Sequence, residues 1–287
     1  MFSDNRPATP PTLFQKYIRR LVPLPTVLSP TGQLRENIRC VLFDIYGTLF
    51  ISGSGDIGTA EQGAARIKEI HDLLKRYGIC KNARKLLDEL QGAIQSKHAE
   101  LRNKGNDFPE VRIDQIWQRV LPFDDRDAVR QFALEFELIS NPAYPMPNLA
   151  NLLSACRQKE KTMGIISNAQ FYTPCLFQWF LDADPEDLGF NSNLIFYSYR
   201  YEMAKPSPLL FKMAVETLKA GGIQPSAVLY LGNDMLNDIY PARNAGFQTA
   251  LFAGDKRSLR LRTDDPRCRD LTPDLVLTDL GQLIKFI

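Results

Sequence analysis

Several residues with chemically active side chains stand directly after apolar stretches of the sequence or just before a predicted helix. They are Asp44, Thr48, Ser167, Asn168, Lys205, Asn233, Asp234, Asn237 and Asp238, and Gly47 lies in the turn between the first two. Carboxylates, hydroxyls and an amine are the groups that enzymes use as nucleophiles, acids, bases and cations. Taken singly, each residue also fits a turn, a helix cap or a solvated loop. Their importance therefore depends on whether the fold brings them together.

Five apolar runs position these residues, and the periodicity predicts a strand for each. The runs are "CVLFD" at 40–44, "MGIISN" at 163–168, "LIFYSY" at 194–199, "AVLYLGND" at 227–234 and "TALF" at 249–252. They do not alternate with polar residues, as is typical of strands covered on both faces. Helical patterns between the later runs predict an α/β fold with a Rossmann-like, doubly wound parallel sheet. Ligands bind at the carboxyl ends of such strands, so the candidate residues are expected at one edge of the sheet.

One of the helical patterns has clear boundary residues. In "SPLLFKMAVETLKAGG", Ser207 is the predicted N-cap, Pro208 the first helical residue, and Gly221 or Gly222 the stop.

A long helical segment separates the first and second predicted strands. Residues 55–145 contain several helical patterns, one of them capped by Asn82, and "NPAYPMPN" at 141–148 is the predicted return to the core. A helix is predicted from there to about Cys156. The predicted domains are an N-terminal extension at 1–37, an α/β core at 38–54 and 146–287, and a helical insertion at 55–145.

Two local patterns have competing interpretations. "GSGDIG" at 53–58 matches a dinucleotide-binding fingerprint, but no second strand ending in an acid follows it, so a connecting loop is favoured. The short amphipathic stretch Leu13 to Leu21 fits either a membrane-surface helix or a tail that packs on its own domain, and the second is favoured.

Composition limits the functional classes. The 287 residues carry a net charge of only +2 and no nucleic-acid-binding motif, so nucleic acid is not an expected partner. No apolar run approaches the length of a membrane span. The cysteines are scattered, which favours reduced thiols and a cytoplasmic location. The expected partner is a small-molecule substrate, and the sequence carries no sign of the oligomeric state.

The motifs "FDIYGTLF", "IISNA", "AKPSPLLF" and "LGNDMLNDIYPARNAG" occur in this order in the chain. They resemble the four motifs of the haloacid dehalogenase-like (HAD) hydrolase superfamily, over about 40–54 and 146–280. The helical insertion lies where members of this type carry a cap domain, and the first motif is similar to that of the L-2-haloacid dehalogenases. The N-terminal extension has no counterpart in this resemblance.

The resemblance implies a role for each motif residue. Asp44 would be the nucleophile and would form a covalent aspartyl intermediate. The other implied catalytic residues are Thr48, Ser167, Asn168 and Lys205. Phosphate-transferring relatives hold Mg²⁺, here through Asp44, the backbone carbonyl of Tyr46, and Asn233, Asp234 or Asp238. Gly47 in the turn and Arg102 in the cap are the implied substrate-binding residues, and His98 and Arg112 are further cap candidates.

Two departures from the family pattern leave the reaction open. Tyr46 replaces the second aspartate of the phosphatases, as it does in the dehalogenases, and Asn233 replaces the usual aspartate after Gly232. Against a dehalogenase, Phe211 stands where those enzymes have a tyrosine. Their substrate-binding arginine has no single equivalent among Arg66, Arg76 and Arg84.

Clustered aspartates in the fourth motif would need a compensating cation. For that reason, a Mg²⁺-dependent phosphatase acting on a small phosphorylated metabolite is favoured. A metal-free L-2-haloacid dehalogenase and a weakly active or non-enzymatic binding protein of the same fold are the alternatives.

Overall fold

A mainly parallel sheet forms the centre of the computed structural model, which describes residues 11–53 and 64–287. The strands are β1 (Thr31–Gly32), β2 (Cys40–Phe43), β3 (Phe50–Ser52), β4 (Ala143–Pro145), β5 (Thr162–Ser167), β6 (Phe190–Tyr197), β7 (Val228–Gly232), β8 (Gln248–Phe252) and β9 (Leu275–Leu277). The main sheet has the order β1-β9-β8-β7-β2-β5-β6, and only β1 pairs antiparallel to its neighbour. The predicted Rossmann-like parallel sheet is confirmed.

The helices surround this sheet or lie in the insertion. They are α1 (Pro11–Tyr17), α2 (Ala64–Arg76), α3 (Ala83–Asn103), α4 (Ile113–Val120), α5 (Arg126–Ser140), α6 (Leu149–Gln158), α7 (Cys175–Leu181), α8 (Ser198–Tyr201), α9 (Leu209–Ala220) and α10 (Tyr240–Asn244). A π-helix spans Met235–Ile239, and short 3₁₀ segments span Pro225–Ala227 and Leu280–Lys285.

The apolar runs predicted as strands are β2, β5, β6, β7 and β8. Every residue of β2, β7 and β8 is buried, which explains why these strands lack polar alternation. β2 lies between β5 and β7 in register, so the ends of three motif-bearing strands meet at the centre of the sheet. Strands β1 and β9 at one edge were not predicted, because segments of two or three residues carry too little periodicity.

Helix boundaries follow the predicted capping residues closely. Asn82 caps α3 through its side chain, which accepts the N–H of Arg84 at 2.8 Å, as predicted. Helix α9 begins at Leu209, so Pro208 is its N-cap, one position later than the sequence indicated. Ser207 still contributes, because its hydroxyl oxygen accepts the N–H of Leu209 at 3.3 Å. Helix α6 ends at Gln158, two residues beyond the predicted end.

Helices α2 to α5 pack on one another, and the chain enters and leaves them through an antiparallel ribbon of β3 and β4. The domain boundaries near residues 54 and 146 stay a prediction. Residues 54–58 of "GSGDIG" lie outside the described residues.

The N-terminal extension packs on its own chain. Phe14 stacks on Trp179, with ring centroids 4.5 Å apart, and the Tyr17 hydroxyl donates to Glu135 of α5 at 2.7 Å. Both N-terminal side chains are buried, which agrees with the favoured interpretation of the stretch Leu13 to Leu21. Among the described residues, none of the helices has the length and apolar character needed to cross a membrane.

Candidate active site

Asp44 follows β2 directly and lies at the carboxyl edge of the sheet. Its backbone N–H donates to the carbonyl of Leu231 in β7 at 2.9 Å, so the carboxylate is held between two strands that carry motifs. The turn after it depends on Gly47, which has φ of +83°. A β-carbon at Gly47 would lie 2.5 Å from the β-carbon of Ser258. Gly47 therefore serves the turn both by its backbone angle and by its lack of a side chain.

Three donors from different motifs hold the Asp44 carboxylate. Oδ1 accepts from Lys205 Nζ at 2.7 Å and from the Ser167 hydroxyl at 2.9 Å. Oδ2 accepts from the Thr48 hydroxyl at 3.2 Å. Asp44 is 5% exposed, so the carboxylate meets these donors in a largely dry environment where they are strong. The arrangement orients one carboxylate and can stabilise negative charge beside it.

Asn168 acts on the backbone that carries Lys205. Its side-chain oxygen accepts the Lys205 N–H at 2.7 Å, and its amide nitrogen lies 3.5 Å from the Lys205 carbonyl. The contacts therefore place Asn168 as a support for Lys205. The Gly47 N–H likewise donates within the turn, to the carbonyl of Phe50 at 2.7 Å.

Lys205 bridges two buried carboxylates. Its ammonium group lies 2.5 Å from Asp238 Oδ1 as well as 2.7 Å from Asp44 Oδ1. Burial alone would lower the pKa of Lys205, but the charges of Asp238 and Asp44 outweigh it and raise the pKa. Burial raises the pKa of Asp238 above its usual range, an effect that Lys205 opposes. The Tyr230 hydroxyl completes the group, 3.1 Å from Lys205 Nζ and 3.0 Å from Asp238 Oδ1.

Asp234 is held separately, by an arginine that is distant in sequence. Its carboxylate caps the π-helix by accepting the N–H groups of Leu236 and Asn237 at 2.9 and 3.1 Å. The guanidinium group of Arg262 pairs with both oxygens, the shortest contact being Nη2 to Oδ2 at 2.6 Å. π-helical turns are common at functional sites. Here the turn directs Asp234 to Arg262 and Asp238 to Lys205.

Asn233 is the fourth-motif side chain linked most directly to the Asp44 turn. Its Oδ1 accepts the Thr48 hydroxyl at 3.0 Å, the same hydroxyl that lies 3.2 Å from Asp44 Oδ2. Its Nδ2 donates to the Ser258 carbonyl at 2.5 Å. An amide oxygen of Asn233 and a carboxylate oxygen of Asp44 therefore share one small region.

The residues that could hold Mg²⁺ differ in whether a protein cation already pairs with them. Asp44 Oδ2 and Asn233 Oδ1 share a hydroxyl donor, and the Tyr46 carbonyl belongs to the same turn; these are hard oxygen ligands of the kind Mg²⁺ prefers. Asp234 and Asp238 are each paired with a protein cation. By donor chemistry, the first three oxygens suit a Mg²⁺ ion that keeps several waters. No group of three or more acidic, histidine or cysteine side chains suited to a metal occurs within residues 11–53 and 64–287.

The Tyr46 side chain makes a structural contact. Its hydroxyl lies 3.1 Å from the Thr173 hydroxyl. Burial and the nearby charge of Glu137 raise its pKa well above the ordinary value, so the phenol stays protonated at neutral pH. It is therefore no replacement for a carboxylate base.

A cavity of about 650 Å³ extends from Asp44 to the helical insertion. Its lining residues from the insertion include Ile94, His98, Val111, Ile113 and Glu137, whereas Arg102 and Arg112 are not among them. Burial and the nearby charge of Arg102 lower the pKa of His98, which leaves its imidazole neutral at pH 7. The volume suits a small metabolite.

Gln170 and a short backbone pairing fasten the insertion to the core beside this cavity. Gln170 accepts the Ile113 N–H at 3.0 Å and donates to the Val111 carbonyl at 2.9 Å. The Ala204 N–H, adjacent to Lys205, donates to the Phe108 carbonyl at 2.8 Å. The insertion therefore contacts the loops of the second and third motifs.

Tyr230, Arg262 and Ser258 were missed by the sequence analysis. A tyrosine within the buried run "AVLYLG" was a usable signal, because a buried phenol needs a hydrogen-bond partner. Arg262 and Ser258 follow β8 in an irregular loop, where no spacing rule indicates that they reach the fourth motif.

Comparisons with known proteins agree with this architecture. Residues 38–246 match the model of the haloacid dehalogenase-like hydrolases. A human phospholysine phosphohistidine inorganic pyrophosphate phosphatase is 24% identical over 285 residues, which is 91% of this chain and 98% of the relative.

Two solved structures illustrate the range of similar folds. A 2-haloacid dehalogenase from Pseudomonas syringae has a TM-score of 0.53 and 22% identity, covering 87% of this chain and 97% of its own. A HAD phosphatase from Thermococcus onnurineus has a TM-score of 0.52 and 18% identity, covering 86% and 97%. The similar folds therefore include both a C–halogen and a phosphate-ester hydrolase.

Proposed function

Because this chain belongs to the haloacid dehalogenase-like hydrolases, we propose that it hydrolyses a phosphate ester of a small molecule with Asp44 as the nucleophile. The observation that carries the proposal is the set of donors around one buried carboxylate: Lys205, Ser167 and Thr48 all lie within 3.2 Å of its oxygens. These groups can hold phosphoryl oxygens as negative charge develops. The human phosphatase relative supports the same reaction class.

The reaction proceeds through two displacements. The Asp44 carboxylate attacks phosphorus, the phosphorus–oxygen ester bond breaks, and its electron pair leaves with the alcohol oxygen, which takes a proton from solvent water. A water molecule then attacks the phosphorus of the aspartyl phosphate and gives up a proton to solvent. The bond between phosphorus and the Asp44 oxygen breaks, which releases inorganic phosphate and restores the Asp44 carboxylate. Lys205 and Ser167 orient the carboxylate, and Asn168 holds the backbone of Lys205. The helical insertion at 55–145 serves as a cap that excludes water.

Mg²⁺ is the proposed cofactor, held by Asp44, the Tyr46 carbonyl and Asn233. When bound, it would draw charge from the phosphoryl oxygens. Asp238 and Asp234 would take part indirectly, through Lys205 and Arg262 respectively. The proposed location is the cytoplasm, which agrees with cysteines that are reduced thiols.

The lack of a carboxylate at position 46 narrows the substrate class. The Tyr46 phenol is half-buried and its pKa is raised by desolvation, so it is a poor acid toward a leaving alkoxide and no base for water at neutral pH. Substrates whose leaving group needs no proton, such as acyl phosphates and aryl phosphates, should therefore react faster than alkyl phosphates.

A direct test measures phosphate release from acetyl phosphate, p-nitrophenyl phosphate and glycerol 3-phosphate, with Mg²⁺ and with EDTA. We expect turnover of the first two, dependence on Mg²⁺, and loss of turnover in Asp44→Asn. Phosphate release that persists in Asp44→Asn would remove the nucleophile assignment. A purified wild-type protein that releases no phosphate from any of the three would refute the phosphatase proposal.

C–halogen hydrolysis is the second candidate, and one observation favours it. Asp234 and Asp238 are balanced by Arg262 and Lys205, so these aspartates do not by themselves require a metal. Halide release from 2-chloropropionate that is unaffected by EDTA would establish this reaction in place of the first.

A further inference from the structure

Residues 22–28 of the N-terminal extension lie along a loop that the active site uses. The loop, residues 253–262, follows β8. Leu24 bonds to it twice: its N–H donates to Asp255 Oδ1 at 3.0 Å, and its carbonyl accepts the Lys256 N–H at 2.8 Å. The Thr26 hydroxyl donates to the Ala253 carbonyl at 2.8 Å. The extension thus pairs with three consecutive parts of the loop.

The two prolines in residues 22–28 favour the extended backbone that this contact requires. Leu24 stands between Pro23 and Pro25, which fix their own φ angles and favour an extended backbone at the preceding residues. Prolines lack an N–H group, so Leu24 supplies the only N–H of residues 23–25. That N–H meets the Asp255 carboxylate, whose residue is 1% exposed. An extended segment of this kind loses little conformational entropy when it binds.

Burial of apolar side chains does not explain why residues 22–28 remain attached to the core, because most of these side chains are exposed. Val22 is 67% exposed and Val27 is 96% exposed, and Leu24 is 47% exposed. Only Leu28 packs inward, against a small cluster that includes Met235 and Ile239 of the π-helix. Backbone and hydroxyl hydrogen bonds therefore hold the segment, with its inner end beneath the fourth motif.

The loop at 253–262 in turn holds the fourth motif. The Ser258 carbonyl accepts the Asn233 side-chain amide at 2.5 Å, and the Arg260 N–H donates to the Asn233 carbonyl at 3.0 Å. The Met235 N–H donates to the Arg260 carbonyl at 2.9 Å, and Arg262 pairs with Asp234. Arg260 and Arg262 also line the cavity.

We propose that residues 22–28 are a positioning strap of the active site. They fix the loop at 253–262 and, through it, the side chains of Asn233, Arg260 and Arg262. The direct donors to Asp44 come from other elements. The strap therefore acts first on substrate binding, through Arg260 and Arg262 of the cavity lining. The kinetic part of this inference rests on the proposed phosphatase function, whereas the structural part does not.

The test uses two variants of the full chain, Leu24→Pro and Thr26→Val. The first extends the proline run and removes the N–H that meets Asp255. The second removes the hydroxyl that meets Ala253 and keeps the shape of the side chain. Thr217→Val is the matched control, because the Thr217 hydroxyl makes a similar bond of 3.0 Å to the Met213 carbonyl within α9, in another part of the core.

Amide hydrogen exchange and steady-state kinetics are measured on all three variants. We expect faster exchange at residues 253–262 in Leu24→Pro and Thr26→Val but not in Thr217→Val. With p-nitrophenyl phosphate, KM should rise roughly three- to tenfold in the two strap variants while kcat stays within about twofold.

Two results would overturn the strap. One is unchanged exchange at 253–262 in both folded strap variants. The other is an equal rise in KM in Thr217→Val, which would indicate a general loss of stability. If the wild-type protein releases no phosphate, the proposed function fails, and the exchange comparison alone then decides whether the strap exists.

Discussion

The two sides of the candidate site balance their charges differently. On the nucleophile side, Asp44 is surrounded by donors from the first three motifs. On the fourth-motif side, Asp234 and Asp238 point to two different cations. The first side is built from residues that the motifs name, and the second depends on Arg262, which lies outside every motif.

The difference shows why clustered acids are weak evidence for a metal. The sequence places Asp234 and Asp238 close together, and a pair of buried carboxylates does need compensation. Lys205, 33 residues before Asp238, and Arg262, 28 residues after Asp234, provide it within the chain. The proposal of a Mg²⁺ site therefore rests on the oxygen atoms of Asp44 and Asn233, and the charges of Asp234 and Asp238 do not support it.

Lys205→Met should have the largest effect on stability and turnover, because Lys205 pairs with Asp44 on the nucleophile side and with Asp238 on the fourth-motif side. Without its ammonium group, two buried carboxylates lose their shared cation, and unfolding free energy should fall by roughly 3–5 kcal/mol. Turnover should fall on the order of 10³-fold. Urea unfolding and phosphate release measure the two effects, with exposed Lys212→Met as the control. A loss of turnover below about tenfold would show that Lys205 is not central.

The stability loss of Lys205→Met should also depend on pH. Burial already raises the pKa of Asp238, and removal of the lysine raises it further. An aspartate whose folded-state pKa lies above its unfolded value binds its proton more tightly when folded, so stability falls as pH rises through that range. The variant should therefore be closest to wild type in acid and furthest from it above neutral pH.

Gly232→Ala should have the next largest effect, confined to the fourth-motif side. An added β-carbon would lie 2.4 Å from Asp238 Cγ, so the carboxylate that pairs with Lys205 must move. A displacement of this size can reduce turnover by ~10²-fold. Gly92→Ala is the control, because a β-carbon added there on α3 would meet no neighbouring group within 4 Å, and the change should stabilise by ~0.5–1 kcal/mol. Equal turnover in both variants would contradict the close fit at Gly232.

Arg262→Gln tests the charge balance itself and should have a smaller effect on stability. The Arg262 side chain is 40% exposed, so the ion pair with Asp234 should contribute under ~1 kcal/mol. Its removal leaves the Asp234 charge uncompensated, and the affinity for Mg²⁺ should rise severalfold. Calorimetric titration with Mg²⁺ measures this, with Arg267→Gln as the control at the exposed pair with Asp265. An unchanged affinity would show that Arg262 and the metal do not compete.

The nucleophile side could be predicted from sequence largely because its residues follow regular strands. Asp44 and Ser167 end or directly follow predicted strands, and parallel strands bring their ends together by a general rule. The fourth-motif side was less predictable because a π-helix sets the directions of Asp234 and Asp238. Its cation comes from Arg262 in an irregular loop, whose path depends on contacts with residues 22–28 that no local pattern records.

Tyr46→Phe should have the smallest effect, although Tyr46 is the residue that most divides the two candidate reactions. Its hydroxyl contacts Thr173, whose own hydroxyl also accepts the Gln170 N–H at 3.1 Å, so little is left unsatisfied when the phenol oxygen is removed. Stability should fall by about 1 kcal/mol. Because only the Tyr46 backbone carbonyl is proposed to serve the chemistry, turnover should stay within about twofold of wild type. A loss above tenfold in phosphate or halide release would mean that the phenol itself acts in the reaction. The nucleophile side would then include the Tyr46 side chain as well as its backbone carbonyl.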